Sequence, residues 1–128
     1  VDPISEEEPG KILHEVRLGV SSGLSLGGKS VYYGSVDATP QFVMTLGSVS
    51  RWGFAKDTIT ALLPHADRAL DWIRNYGDED GDGSVEYRRL NEQGLINQSW
   101  KDSWDGINFA DGRLAEPPIA PCEVQALV

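Results

Sequence analysis

The residues best equipped for chemistry lie in one short stretch, 94–107, GLINQSWKDSWDGI. Trp100 and Trp104 stand beside Asp102, Asp105, Lys101, Asn97 and Gln98. Flat apolar rings can stack on the C–H face of a pyranose. Amides and carboxylates can bind its hydroxyls, and a carboxyl in its acid form can protonate a glycosidic oxygen. The same composition also describes a loop with buried tryptophans and solvated charges. Asp102 and Asp105 are three apart and share a face only in a helix; in a loop they diverge. One could then be a proton donor raised in pKa by the neighbouring rings, and the other a partner of Lys101.

Two further clusters carry possible chemistry. In 32–40, YYGSVDATP, Asp37 precedes a helix start, where the helix dipole favours an anion. It can cap the helix or turn into a cleft lined by Tyr32 and Tyr33 and bind sugar hydroxyls. In 78–86, DEDGDGSVE, Asp78, Asp80, Asp82 and Gly83 have the spacing that opens a calcium loop. A complete EF-hand needs a bidentate glutamate at its twelfth position, which here is Arg89, while Glu86 stands at the ninth. The alternatives are a cation held by Asp78, Asp80, Asp82 and Glu86 in a different loop, or an acidic turn whose aspartates cap backbone N–H groups. His14 and His65 are isolated in the sequence.

The elements that must position these clusters are mainly helical. Residues 1–10 form an acidic, proline-flanked lead-in, and 11–19, KILHEVRLG, fits a strand or a short helix. Residues 19–30 are a Gly/Ser-rich loop. A helical hairpin is expected over about 38–76. Thr39 serves as N-cap with Pro40 at the first helical position, and Phe42, Val43, Leu46, Val49 and Trp52 recur on one face. A second helix follows from Asp57, as its cap, to Asn75, where Pro64 should kink it or split off its first turns and Gly77 should end it. SVEYRR after Gly83 reads as a short extended segment. From Pro118 a helical pattern runs to Val128, cut in mid-pattern as in a fragment of a longer chain.

The bulk properties narrow the partners. A chain of 128 residues is one domain or part of one. Its net charge of −9 argues against nucleic acid and anionic membrane surfaces, whose recognition needs a basic face. No apolar run is long enough to span a bilayer. The single cysteine, Cys122, excludes an internal disulfide and fits a reducing, cytoplasmic setting, as does a start without a basic and apolar leader.

In order along the chain, EPGKILHEVR, YYGSVDATP, YGDEDGDGSVEYRR, GLINQSWKDSWDGI and ADGRLAEPPIAPCEVQ resemble the series found in bacterial amylo-α-1,6-glucosidase-like, or glycogen-debranching-like, proteins. The resemblance spans about Glu8 to Gln125. It implies a mainly α fold with long loops and at most a short β segment, its helical hairpins forming part of an (α/α)6 toroid. It also implies an α-glucosidic oligosaccharide or glycogen-like substrate and no required cofactor; some relatives hold calcium at a similar acidic turn. Related six-hairpin glycosidases place the general acid in a segment reading glycine, tryptophan, aspartate. SWDG is similar, which makes Asp105 the matching position and Trp104 a subsite wall. Trp100, Tyr33, Gln98, Lys101 and Asp102 would complete the subsite, and Asp37 matches the segment holding the terminal sugar. Two departures stand out. Position 104 is more often small in the closest group, and Cys122 interrupts the apolar pattern before EVQ. Six hairpins need far more than this chain's length. The resemblance therefore implies a partial domain over 1–128, with an active-site-like loop at 94–112, a truncated helix at 118–128 and the catalytic base elsewhere. Uncovered helix faces, the 119–128 pattern and part of 57–76, would meet the remaining hairpins or a second copy of the chain.

Overall fold

The computed structural model describes residues 1–18, 30–101 and 103–128. The Gly/Ser-rich loop, apart from Ser30, and Asp102 lie outside the described residues. The regular structure is mainly helical: β1 (Glu15–Val16), β2 (Val31–Tyr32), α1 (Ala38–Arg51), α2 (Lys56–Asn75) and the single turn α3 (Cys122–Gln125). β1 and β2 pair antiparallel, Glu15 opposite Tyr32 and Val16 opposite Val31, so part of 11–19 is strand.

α1 and α2 form the expected hairpin, with different caps. Asp37, not Thr39, is the N-cap of α1, and the Ser35 hydroxyl accepts from the Ala38 N–H at 3.3 Å. Thr39 is fully buried inside the first turn, and its Oγ1 accepts from Ile12 N at 3.0 Å, tying the helix to the segment that leads into β1. α2 starts after Ala55, which takes a left-handed conformation at φ 49°; Asp57 lies within the first turn and its side chain does not cap. The helix also runs unbroken through Pro64. Pro64 and Thr60, whose carbonyl loses its donor, are both exposed, so the missing hydrogen bond is not stranded in a core. Tyr76 N and Gly77 N both donate to the Trp72 carbonyl and close the helix where the glycine was expected to end it.

The core gathers at the C-terminal end of α2. Trp72 packs with Val36, Val85, Tyr87 and Val124, and Ile73, Ile107 and Ile119 lean on them. This arrangement replaces the expected helix over 118–128. Ile119 pairs instead with Tyr87 through two 3.0 Å backbone bonds, Pro121 is extended, and only Cys122–Gln125 is helical. Gln125 then clamps Val85, accepting from its N–H at 2.8 Å and donating to its carbonyl at 2.6 Å. Ile119 and Val124 of the 119–128 apolar pattern are thus covered within this chain, while Cys122 and Val128 stay exposed. The other end of the hairpin is bare: in α1 only Thr39 and Pro40 are buried, and in α2 only Ala66, Ala69 and Trp72.

The acidic lead-in is built into the fold. Glu8 accepts from the Trp72 indole N–H at 2.8 Å and pairs with Lys11 at 3.3 Å, and the Lys11 ammonium lies over the Trp72 ring. At Gly10, φ is 86° and a β-carbon would collide with the Arg68 carbonyl, so the lead-in crosses α2 where only glycine fits. Among the described residues, no helix is long and apolar enough to cross a membrane.

Candidate functional site

The 94–107 loop divides into a buried scaffold and an exposed display. In the scaffold, Asn97 Oδ1 accepts from Ser99 N, Ser99 Oγ and Tyr87 Oη, while its Nδ2 donates to the Ser103 carbonyl at 3.2 Å. Gln98 is 2% exposed and donates its amide to Glu6. It therefore acts as a joint inside the fold rather than as a surface sugar ligand, a correction to its expected role. After Ser99 the chain turns outward. Trp100 is 62% and Trp104 63% exposed, which removes the alternative of buried tryptophans. Asp105 and Lys101 are exposed beside them. Lys101 Nζ donates to the Gly106 carbonyl at 3.0 Å and closes the loop around Trp104 and Asp105.

Among the described residues, two bonds join this loop to the Asp37 cluster. Val36 N donates to the Gln98 carbonyl at 3.0 Å, and Leu95 N donates to Tyr32 Oη at 2.9 Å. Asp37 is half-buried; its Oδ1 accepts from the Ser35 hydroxyl and its Oδ2 from Gln41 Nε2 at 3.1 Å. The tyrosines do not share one cleft as expected. Tyr32 is fully buried, and burial, then the nearby Glu6 carboxylate, pushes its phenol well above the usual range. Tyr33 lines a separate polar cavity of about 200 Å3 with Glu8, Lys11, His65 and Arg68.

A carboxylate that sequence reasoning passed over sits beneath both segments. Glu6 is 1% exposed. Its Oε1 accepts from Leu90 N at 3.1 Å and Asn91 N at 3.2 Å, and its Oε2 from Gln98 Nε2. Burial raises its pKa above the usual carboxylate value, although those donors and Lys11 act in the opposite direction. An acidic run such as EEEP carries no local sign that one of its members turns inward.

The acidic turn brings Asp78, Asp80 and Glu86 together, each offering an oxygen within 4.8 Å of the others. Asp82 falls outside that trio. The turn is also braced by its own carboxylates. Asp78 accepts from Gly81 N and Gly83 N, Asp80 from Asp82 N, Asp82 from Ser84 N, and Glu86 Oε1 from Glu79 N and Asp80 N. The trio offers the hard oxygen donors a divalent cation prefers, and the backbone bonds hold the turn in shape without one. Glu86 is buried, and desolvation, then the charges of Asp80 and Asp82, push its carboxyl above the usual range.

Between this turn and the loop scaffold lies a cavity of about 110 Å3, walled by Trp72, Glu86, Tyr87, Arg88 and Gln98 among others. Small-molecule sites usually run to roughly 300–1,000 Å3, so this one suits waters rather than a sugar. No protein-family model matches the chain, and no curated protein matches it.

Proposed function

We propose that this chain carries the proton-donor side of a glycoside hydrolase acting on α-glucosidic linkages of oligosaccharides or glycogen. The observation that carries the reading is the display of Trp100, Trp104 and Asp105 on one exposed loop, whose buried scaffold is bonded to the Asp37 segment. The ordered motif series supports it. Indole faces offer stacking surface to a pyranose, and the half-buried Asp37 offers acceptor oxygens to its hydroxyls. Asp105 in its acid form would protonate the leaving oxygen, with Lys101 and Asp102 supporting it. In an inverting reaction a second carboxyl, roughly 6.5–9.5 Å from the first, activates water on the opposite face of the sugar. That base would come from the rest of an (α/α)6 toroid, of which α1 and α2 form one hairpin. Calcium enters this reading as a brace on the 78–86 turn, held by Asp78, Asp80 and Glu86, and takes no part in the reaction. The lone cysteine, an exposed free thiol, supports a cytoplasmic setting.

Asp105→Asn tests the assignment in the enzyme that carries this chain. Glucose release from maltooligosaccharides and from α-1,6-branched substrates should fall by about 10²-fold or more, the usual worth of a positioned general acid, at an unchanged melting temperature. Turnover retained within a few-fold would refute Asp105 as the donor.

A second reading, a self-associating module without catalysis, is favoured by the bare hairpin. An apolar groove of about 350 Å3 runs between α1 and α2, lined by Phe42, Leu46, Val49, Ile59 and Leu62.

A further inference from the structure

Glu6 combines three costly features. It is a charged side chain almost fully removed from water, and such groups are rarely buried unless paired. Its backbone is held at φ 57°, a left-handed conformation that is strained for a non-glycine residue. Space is also cleared for its carboxylate on two sides. A β-carbon at Gly34 would run into Glu6 Oε2 and Tyr32 Oη, and one at Gly94 into Glu6 Oε1 and Tyr32 Oη. Strain and burial together persist where the surroundings over-determine them, and here the surroundings are the two segments of the candidate site.

The bonds run to both. Through Oε1, Glu6 grips Leu90 N and Asn91 N; the Asn91 carbonyl in turn accepts from Gly94 N at 2.9 Å, at the base of the loop. Through Oε2 it holds Gln98, whose own carbonyl accepts from Val36 N, one residue before Asp37. We infer that Glu6 is the positioning residue of the candidate site: its carboxylate fixes the 94–107 loop against the 32–37 segment, and so sets where Trp100, Trp104 and Asp105 are displayed. The significance for sugar binding rests on the proposed function; the positioning itself does not. Charge-assisted bonds are about twice as strong as neutral ones, so protonating Glu6 loosens this hold. The groups that face it are Lys11 from the lead-in, Gln98 from the loop, and Tyr32, which also feels Arg89.

The test follows the carboxyl carbon of Glu6 and the four tryptophan indole N–H signals by NMR through a pH titration. The Trp100 and Trp104 signals should move with the same midpoint as the Glu6 carboxyl, above the ordinary 4.5 of a glutamate. Trp52, at the exposed hairpin tip, should stay still. In Glu6→Gln, which keeps the side-chain shape, that movement should vanish. In Asp102→Asn/Asp105→Asn, which removes the nearest carboxylates in sequence, it should persist. If Glu6→Gln does not fold, the wild-type and double-variant titrations decide alone. Indoles that ignore the Glu6 midpoint, or all four moving together, would overturn the inference. Added maltotriose separates the two ideas. Indoles that follow Glu6 but ignore maltotriose leave the positioning role standing and remove the hydrolase reading. Indoles that respond to maltotriose but not to Glu6 do the reverse.

Discussion

Glu86 shows how one carboxylate can brace a turn at a cost in charge. Its Oε1 accepts two backbone N–H groups, yet burial and the charges of Asp80 and Asp82 raise its pKa above the unfolded value. In the window between those two values the folded chain binds the proton more tightly than the unfolded chain. The contribution of Glu86 to stability therefore falls as pH rises through that window. Its cost is fully present above the folded value and absent below the ordinary one. Glu86→Gln keeps an acceptor for both amides and removes the charge, so its urea-unfolding stability should depend less steeply on pH across the mildly acid range. An unchanged slope would show that Glu86 does not titrate in this way. Glu86 could be singled out because its partners lie in the same turn, whereas Glu6 could not, because what draws it inward is not local. Glu6 meets Leu90 and Asn91 at separations of 84 and 85 residues. Trp100, Trp104 and Asp105 could be read as a group because they are neighbours in sequence. Which way they face depends on Asn97 and Gln98 being buried beneath them.

Among the elements, the hairpin was legible and its ends were not. Period-three and period-four spacing marks α1 and α2 because a helix repeats its contacts. Caps depend on a single side chain finding a single N–H, and at α1 the N-cap is Asp37 rather than Thr39, with Ser35 accepting from Ala38 N. Pro64 bears on α2 directly. In a helix interior proline costs about 3 kcal/mol relative to alanine, offset by about 0.4–1 kcal/mol for stiffening the unfolded chain. Pro64→Ala should therefore stabilise the protein by about 2–2.6 kcal/mol, visible as a higher melting temperature; a lower one would mean that the proline is needed to shape α2. The 78–86 turn gives a second measurement. If calcium bridges Asp78, Asp80 and Glu86, calorimetry should show a higher melting temperature with calcium than with a chelator. Asp78→Asn should erase the difference, and equal melting temperatures in the wild type would remove calcium from the account.

For the whole molecule, the mainly helical composition was readable and the place of the core was not. The core is assembled from single residues of loops and turns, Val36, Val85, Tyr87 and Val124, around one helix end, and single residues leave no periodic trace. The long apolar faces that do leave a trace lie where the chain covers them least. If those faces meet in a second copy, sedimentation should show concentration-dependent association. Burying one leucine side chain is worth about 1.5–3 kcal/mol, so Leu46→Ser should weaken association roughly ten-fold or more. A monomer at high concentration would leave the hairpin without a copy of itself as partner. The lead-in's docking also has a consequence for biosynthesis. Residues 4 to 8 are made well before 72 and 90–98, which they must meet, so on the ribosome they emerge with nothing to bind. The lead-in therefore locks only after these later segments have been made. A chaperone held on the lead-in would then act on a late step of folding rather than an early one.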